Sequence, residues 1–161
     1  MTVDAAALRV ALRGWASGVS IVTARLGGEI HGMTVSSFTS VSLEPPLILI
    51  CAENSTRTRA LVQESGAFAV TVLPVERDEW ADRFGGREID HHDRFEGIET
   101  FSAITGAPIL ADYVSYFDCL VAESHPAGTH TVYIGKVVSA GLAEGREPLV
   151  YWHRGYYRLH P

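Results

Sequence analysis

The stretch from Gly32 to Pro46, Gly-Met-Thr-Val-Ser-Ser-Phe-Thr-Ser-Val-Ser-Leu-Glu-Pro-Pro, constrains this chain more than any other. It holds six hydroxyl residues, Thr34, Ser36, Ser37, Thr39, Ser40 and Ser42, with Val35, Phe38, Val41 and Leu43 between them. The mixture is too polar for an ordinary core strand and too rich in β-branched residues for a flexible linker. It reads as extended backbone, ended by Pro45-Pro46. A Ser or Thr offers its hydroxyl together with the backbone N–H and C=O at the same place. Such a run suits a ligand that is flat, rich in heteroatoms and anionic at one end. It also suits an edge strand with a polar face and no ligand.

Immediately after the prolines, Leu47-Ile48-Leu49-Ile50-Cys51 is a short continuous apolar run, read as a buried strand. Asn54-Ser55-Thr56-Arg57-Thr58-Arg59 then places three hydroxyls and two guanidiniums within six residues. Guanidinium forks and hydroxyls suit a phosphate, and the first turn of the helix expected from Arg57 to Ser65 would favour the same anion. Simple capping of that helix is a compatible reading.

The remaining pattern is dominated by strands. Asp4 to Trp15 reads as an amphipathic helix, with Leu8, Leu12 and Trp15 at helical spacing. Gly18 to Ala24 and Ile30 to Phe38 read as strands joined at a Gly27-Gly28 hairpin turn. Gly66 is a natural stop for the Arg57 helix, and Phe68 to Leu73 alternates as a strand. Glu76 to Phe84 reads as a helix. Gly85 to Gly97, with His91-His92-Asp93, reads as a long loop. Tyr116 to Ser124 and Thr131 to Ala140 are strands joined through Pro126-Ala127-Gly128; Leu149 to Tyr151 and Tyr156 to Leu159 close the chain. Strands do not alternate with helices, so the expectation is an antiparallel, mainly β barrel with helical additions rather than a doubly wound sheet.

At 161 residues and 47% hydrophobic content, one domain with a full core is expected over 1–161. The net charge of −6 and the single lysine, Lys136, argue against a nucleic-acid surface. Cys51 and Cys119 lie in apolar runs without CxxC spacing, so free buried thiols are expected. No signal-peptide pattern and no run of membrane-spanning length is visible, which predicts a cytoplasmic protein. The sequence carries no Gly-x-Gly-x-x-Gly opening a helix, no phosphate loop, no His-Glu-x-x-His and no Gly-x-Ser-x-Gly. Adjacent His91 and His92 rarely converge on one ion, so no metal site is expected.

Gly32 to Cys51 resembles the signature of the flavin reductase-like proteins with an FMN-binding split barrel. The segments Ser65 to Val70, Asp93-Arg94-Phe95-Glu96-Gly97, Gly128-Thr129-His130-Thr131 through Gly135, and Pro148 to Tyr151 follow in that family's order and spacing. The resemblance implies an antiparallel, Greek-key split barrel that reduces FMN or FAD with NADH or NADPH. It also implies a homodimer and a monooxygenase partner supplied by diffusing reduced flavin. The ring would lie along Met33, Thr34, Val35, Ser36 and Ser37. Its phosphate end would meet Asn54, Ser55, Thr56, Arg57 and Thr58, with Arg57 or Arg59 nearby; Cys51, Ala52 and Glu53 would be further cofactor contacts, and Arg94 a flavin or nicotinamide contact.

His130 stands at the mouth of a strand, where a neutral imidazole could bond a carboxamide or shuttle a proton. The family position implies a place beside the nicotinamide. Members commonly read Gly-Asp-His there; Thr129 removes that carboxylate, and positioning is favoured over proton transfer. Trp152, His153, Arg154, Gly155 and Tyr156 are aromatic and cationic, suited to stacking on flat heterocycles or to strand-end packing. The resemblance places them by the nicotinamide dinucleotide. Two other uses of such a barrel stay open: a flavin carrier or sensor, and an oxidase with fixed flavin.

Overall fold

Gly27-Gly28 reverses the chain, with Gly27 in the left-handed region at φ 57°. Strands β2 (Ser20–Leu26) and β3 (Glu29–Val35) therefore pair as a tight hairpin, from Leu26 opposite Glu29 to Ser20 opposite Val35. The computed structural model describes residues 2–86 and 93–159. Within them, β4 (Thr39–Ser42), β5 (Leu47–Glu53), β6 (Ala67–Val72), β9 (Ser115–Ala127) and β10 (His130–Leu142) join that hairpin. The order is β3-β2-β6-β9-β10-β5-β4, every neighbour antiparallel.

The sheet edges, β3 and β4, follow one another in sequence. Between them Ser37 turns its hydroxyl onto β5: Oγ donates to the Cys51 carbonyl and accepts the Cys51 N–H, each at 3.0 Å. One side chain thus stitches the β3 end to the far side of the sheet where no ladder forms. The curled sheet surrounds Val22, Ile50, Phe68, Val70, Cys119 and Tyr133, all fully buried. Helix α2 (Arg57–Ser65) adds Leu61 and Val62 to this core, and Gly66 ends it in the left-handed conformation at φ 69°. Its boundaries are those expected from the sequence.

A second core holds Ile21, Leu73, Leu149, Trp80 and Phe84, the last two from α3 (Asp78–Phe84). Short strands complete the chain. Ser17–Gly18 (β1) pairs with Val150–Trp152 (β11), which pairs with Gly155–Tyr157 (β12), and Thr100–Phe101 (β7) pairs with Ile109–Leu110 (β8). Helix α1 (Ala5–Leu12) is shorter than the expected Asp4 to Trp15. Asp4 caps it, accepting the Ala7 N–H at 2.7 Å, but none of its residues is buried. No helix among the described residues is long and apolar enough to cross a membrane.

Candidate active site

Period-two alternation decides which residues of β3 and β5 look outward. Along β5, Ile50 and Ala52 point into the core, while Cys51 and Glu53 open onto a cavity of about 350 Å³. That cavity is floored by Met33 to Ser37 and walled by Thr56, Phe84, Arg94 and His130. Thr34 and Val35 continue into a second space of about 230 Å³, bounded by Ala81, Tyr151 and Tyr156. A third, of about 340 Å³, runs on to Arg9, Arg13, Trp15, His153 and Arg154. Ser36 lines all three, so they form one trough over the end of β3.

Hydrogen bonds hold the floor still. Thr34 Oγ1 donates to the Ala81 carbonyl at 2.6 Å, fixing α3 against β3. Thr56 caps α2, accepting the Arg59 N–H at 3.3 Å, while its hydroxyl donates to the Glu53 carbonyl at 2.8 Å. Arg94 reaches in from beyond the Gly85 turn, and its Nη1 donates to the carbonyls of Gly32 at 2.8 Å and Phe84 at 2.9 Å. Burial pulls its pKa below the ordinary guanidinium value. One nitrogen is thereby committed, and no bond to the described residues engages Nε or Nη2.

His130 is exposed at the start of β10, directly opposite Glu53 on β5. Its Nδ1 lies 2.9 Å from the hydroxyl of Thr129. The Thr129 hydroxyl is thus the ring's partner at Nδ1, at the position where a carboxylate was expected to be missing. Nε2 remains for the cavity.

Several expected site residues are placed elsewhere. Ala52 is fully buried because alternation turns it inward. Arg57 leaves the trough for the β2–β3 hairpin, where Nε donates to Glu29 at 2.6 Å and Nη2 pairs with the same carboxylate. That bond raises the Arg57 pKa and lowers that of Glu29. Thr58 is buried against His31, Oγ1 to Nδ1 2.8 Å. Asn54 ties down the β9–β10 turn, accepting from Thr131 Oγ1 at 2.7 Å, and Ser55 Oγ donates to Glu53 at 3.2 Å. Among the C-terminal group, His153, Arg154 and Tyr156 line the trough, whereas Trp152 and Gly155 do not.

Cys51 is half-buried in the trough wall, not in the core as expected. Cys119 is buried, and burial, aided by neighbouring Asp118, pushes its thiol up to about 12. Among the described residues no cluster of three or more His, Cys, Asp or Glu could hold a metal; His91 and His92 lie outside them. Phe84 lies in the core and also borders the trough; sequence reading missed Gly85, taken as loop, and Arg9, Arg13 and Trp15, taken as part of an amphipathic helix. The readable signal was Arg9 and Arg13 one turn apart beside Leu12.

Known proteins match this architecture. The flavin reductase-like domain family matches residues 12–160. The actinorhodin polyketide dimerase of Streptomyces coelicolor is 38% identical over 99% of this chain and 89% of its own. The reductase component of 4-hydroxyphenylacetate 3-monooxygenase from Thermus thermophilus is 35% identical over 95% of each chain. Among solved structures, an NADH:FAD oxidoreductase of Streptomyces globisporus, in complex with NAD and FAD fragments, superposes with a TM-score of 0.90 at 31% identity, covering 98% of this chain and 94% of its own. The chain belongs to the flavin reductase-like domain family, and its sheet is that family's split barrel.

Proposed function

We infer that the trough is the working site of an NAD(P)H-dependent flavin reductase, which reduces free flavin and releases it to a separate monooxygenase. The observation that carries the site assignment is the continuity of the three cavities at Ser36. They form one open trough over the end of β3, with Arg94 at one end and Arg9, Arg13 and Arg154 at the other. Spaces of about 350, 230 and 340 Å³ suit flat ligands of this size.

The chain's own part is binding and orientation. The exposed turn at Ser36 and Ser37 offers polar groups along one edge of a flat ring. Nε and Nη2 of Arg94, which make no hydrogen bond to the described residues, take the flavin phosphate, in place of Arg57, which Glu29 already engages. His130, held by Thr129, packs beside the nicotinamide. Bound together, the two rings supply the chemistry, a hydride passing from nicotinamide C4 to flavin N5. No step requires a protein acid, which fits a trough without a paired catalytic dyad.

A homodimer is part of this reading. Val3, Leu8 and Val10, which line none of the trough, are 73%, 53% and 57% exposed, an apolar supply that a second copy would cover.

The test is direct. Pure protein is mixed with NADH and excess FMN or FAD, and loss of nicotinamide absorbance is followed. Consumption that depends on added flavin supports the reading. Its absence with both flavins and both nicotinamide dinucleotides overturns it. Flavin that washes away on purification marks a substrate; protein that stays yellow marks a fixed group.

A further inference from the structure

Six of the arginines are engaged within the described residues. Arg57 pairs with Glu29; Arg77 and Arg146 pair with Asp112. Arg25, Arg83 and Arg94 donate to backbone carbonyls. Among the described residues the side chains of Arg9, Arg13, Arg59, Arg154 and Arg158 make neither an ion pair nor a hydrogen bond, and of these Arg9, Arg13 and Arg154 line one cavity. His153 lines it too, and Trp15, 70% exposed, presents its indole there. The overall charge is −6, so this is a local inversion of sign.

Two features of the cluster cost stability with no return inside the protein. Arg9 and Arg13 are one helical turn apart on or beside α1, an arrangement in which like charges repel. His153 and Arg154 form the two-residue turn between β11 and β12, both with positive φ, 51° and 69°. Turns of this geometry favour Asn and Gly, and two consecutive side-chain-bearing residues in the left-handed region are strained. The strain places a cationic and an imidazole side chain on the wall of the cavity. Strain kept at a cavity wall points to a ligand.

We propose that Arg9, Arg13 and Arg154, with Trp15, form a subsite for the adenosine diphosphate portion of a dinucleotide. The guanidiniums would take the pyrophosphate and the indole would stack on adenine. The proposal rests on the flavin reductase reading and deepens it. Ser36 joins this cavity to the one holding Arg94 and His130, so a dinucleotide can lie with its reactive ring on β3 and its adenylate end on α1. NAD(P)H and FAD share this chemistry, and the experiment separates them.

Arg9→Gln/Arg13→Gln is made on the full chain; both side chains are exposed, and an unchanged melting temperature confirms the fold. ADP binding is measured by calorimetry, which needs no turnover. Wild type is expected to bind ADP, and the double variant to bind it at least about tenfold more weakly, the loss of a charge-assisted contact. If the nicotinamide dinucleotide is the occupant, KM for NADH rises by a similar factor while KM for reduced nicotinamide mononucleotide stays put. If FAD is the occupant, its affinity falls toward that of FMN, and FMN is unaffected. Either pattern supports the subsite. ADP, NADH and FAD values unchanged by the substitutions overturn it, as does equal weakening of the mononucleotides. Should wild type fail to reduce any flavin, the catalytic reading falls, and the ADP titration still decides the subsite.

Discussion

Replacing Arg94 by Met keeps the unbranched stem and removes the guanidinium. Two separable losses follow. The first is structural: Nη1 bridges the Gly32 and Phe84 carbonyls at 2.8 and 2.9 Å. Hydrogen bonds to a charged group contribute about 1.5–3 kcal/mol each when buried. Here both come from one nitrogen of a half-exposed residue, so a combined loss of about 1–3 kcal/mol is expected, or roughly 2–12 °C in Tm for a chain of this size. The second loss is functional. If the remaining donors take the flavin phosphate, about 1.5–3 kcal/mol of binding goes with them, a rise of roughly 10- to 150-fold in the FMN Kd. Quenching of flavin fluorescence measures that Kd, and riboflavin, which lacks the phosphate, is the control. Arg94→Met should leave riboflavin affinity nearly unchanged. Arg94→Lys, keeping charge without the fork, should fall between wild type and Met. An FMN Kd unchanged in a folded variant refutes the placement of the phosphate. Equal losses for FMN and riboflavin refute it too, because the arginine would then act only through the floor it braces.

Three further outcomes are expected. A Cβ on Gly135 would lie 2.5 Å from Cζ of the fully buried Phe68 and 3.0 Å from Cys119 Cβ, so Gly135→Ala overpacks the barrel core by about 1–3 kcal/mol, read as a lower Tm. Burial first, then the Arg94 charge, lowers the His31 pKa, so the unfolded chain binds more protons as pH drops through roughly 6.5. The His31 contribution is therefore complete above that pH and declines below it; the urea midpoint should fall on acidification, and less steeply in His31→Gln, whereas identical slopes would clear His31. His130→Ala, at an exposed position, should raise KM for NADH and leave the FMN Kd in place, with kcat lower by up to about 10²-fold from misplacement of the rings. Steady-state kinetics across roughly pH 5.5–8.5 distinguish this from proton donation, which would show wild-type rates falling as pH passes about 6.5.

The strands and helices were legible because their signals are local. Gly27-Gly28 set the hairpin, and Gly66 ended α2 at the expected residue. The long β9–β10 arm was underestimated, with Pro126 read as a connector although it lies in β9, opposite Thr131. Pairing with β6 stops at Leu120, so beyond it β9 is an edge, where the missing N–H of a proline breaks no ladder. The site was half legible for a related reason. The first part of the hydroxyl run, through Ser37, lies along the floor of the trough. The fate of Arg57 depended on Glu29, and that of Ser37 on the backbone of Cys51. Neither partner is near in sequence, and a helix start rich in Thr and Arg looks the same whether it caps itself or holds a phosphate.

The placement of the trough bears on what such a protein must do. A reductase that surrenders its product cannot enclose it, yet hydride transfer demands two rings held at contact distance. A closed barrel would satisfy neither need, since its interior is filled by packed side chains such as Tyr133 and Phe68. Here the barrel stays split between β3 and β5, and Ser37 closes the gap with two hydrogen bonds instead of a ladder. That leaves the end of β3 extended and partly unpaired, with Ser36 exposed and its backbone groups available at a rigid edge. Rigidity comes from the core behind the strand, and openness from the absence of a neighbour in front of it. Floor residues on a strand hold position more closely than residues on a loop. With the flavin placed as proposed, the same seam would let it leave and would keep the reacting rings in register while it is bound.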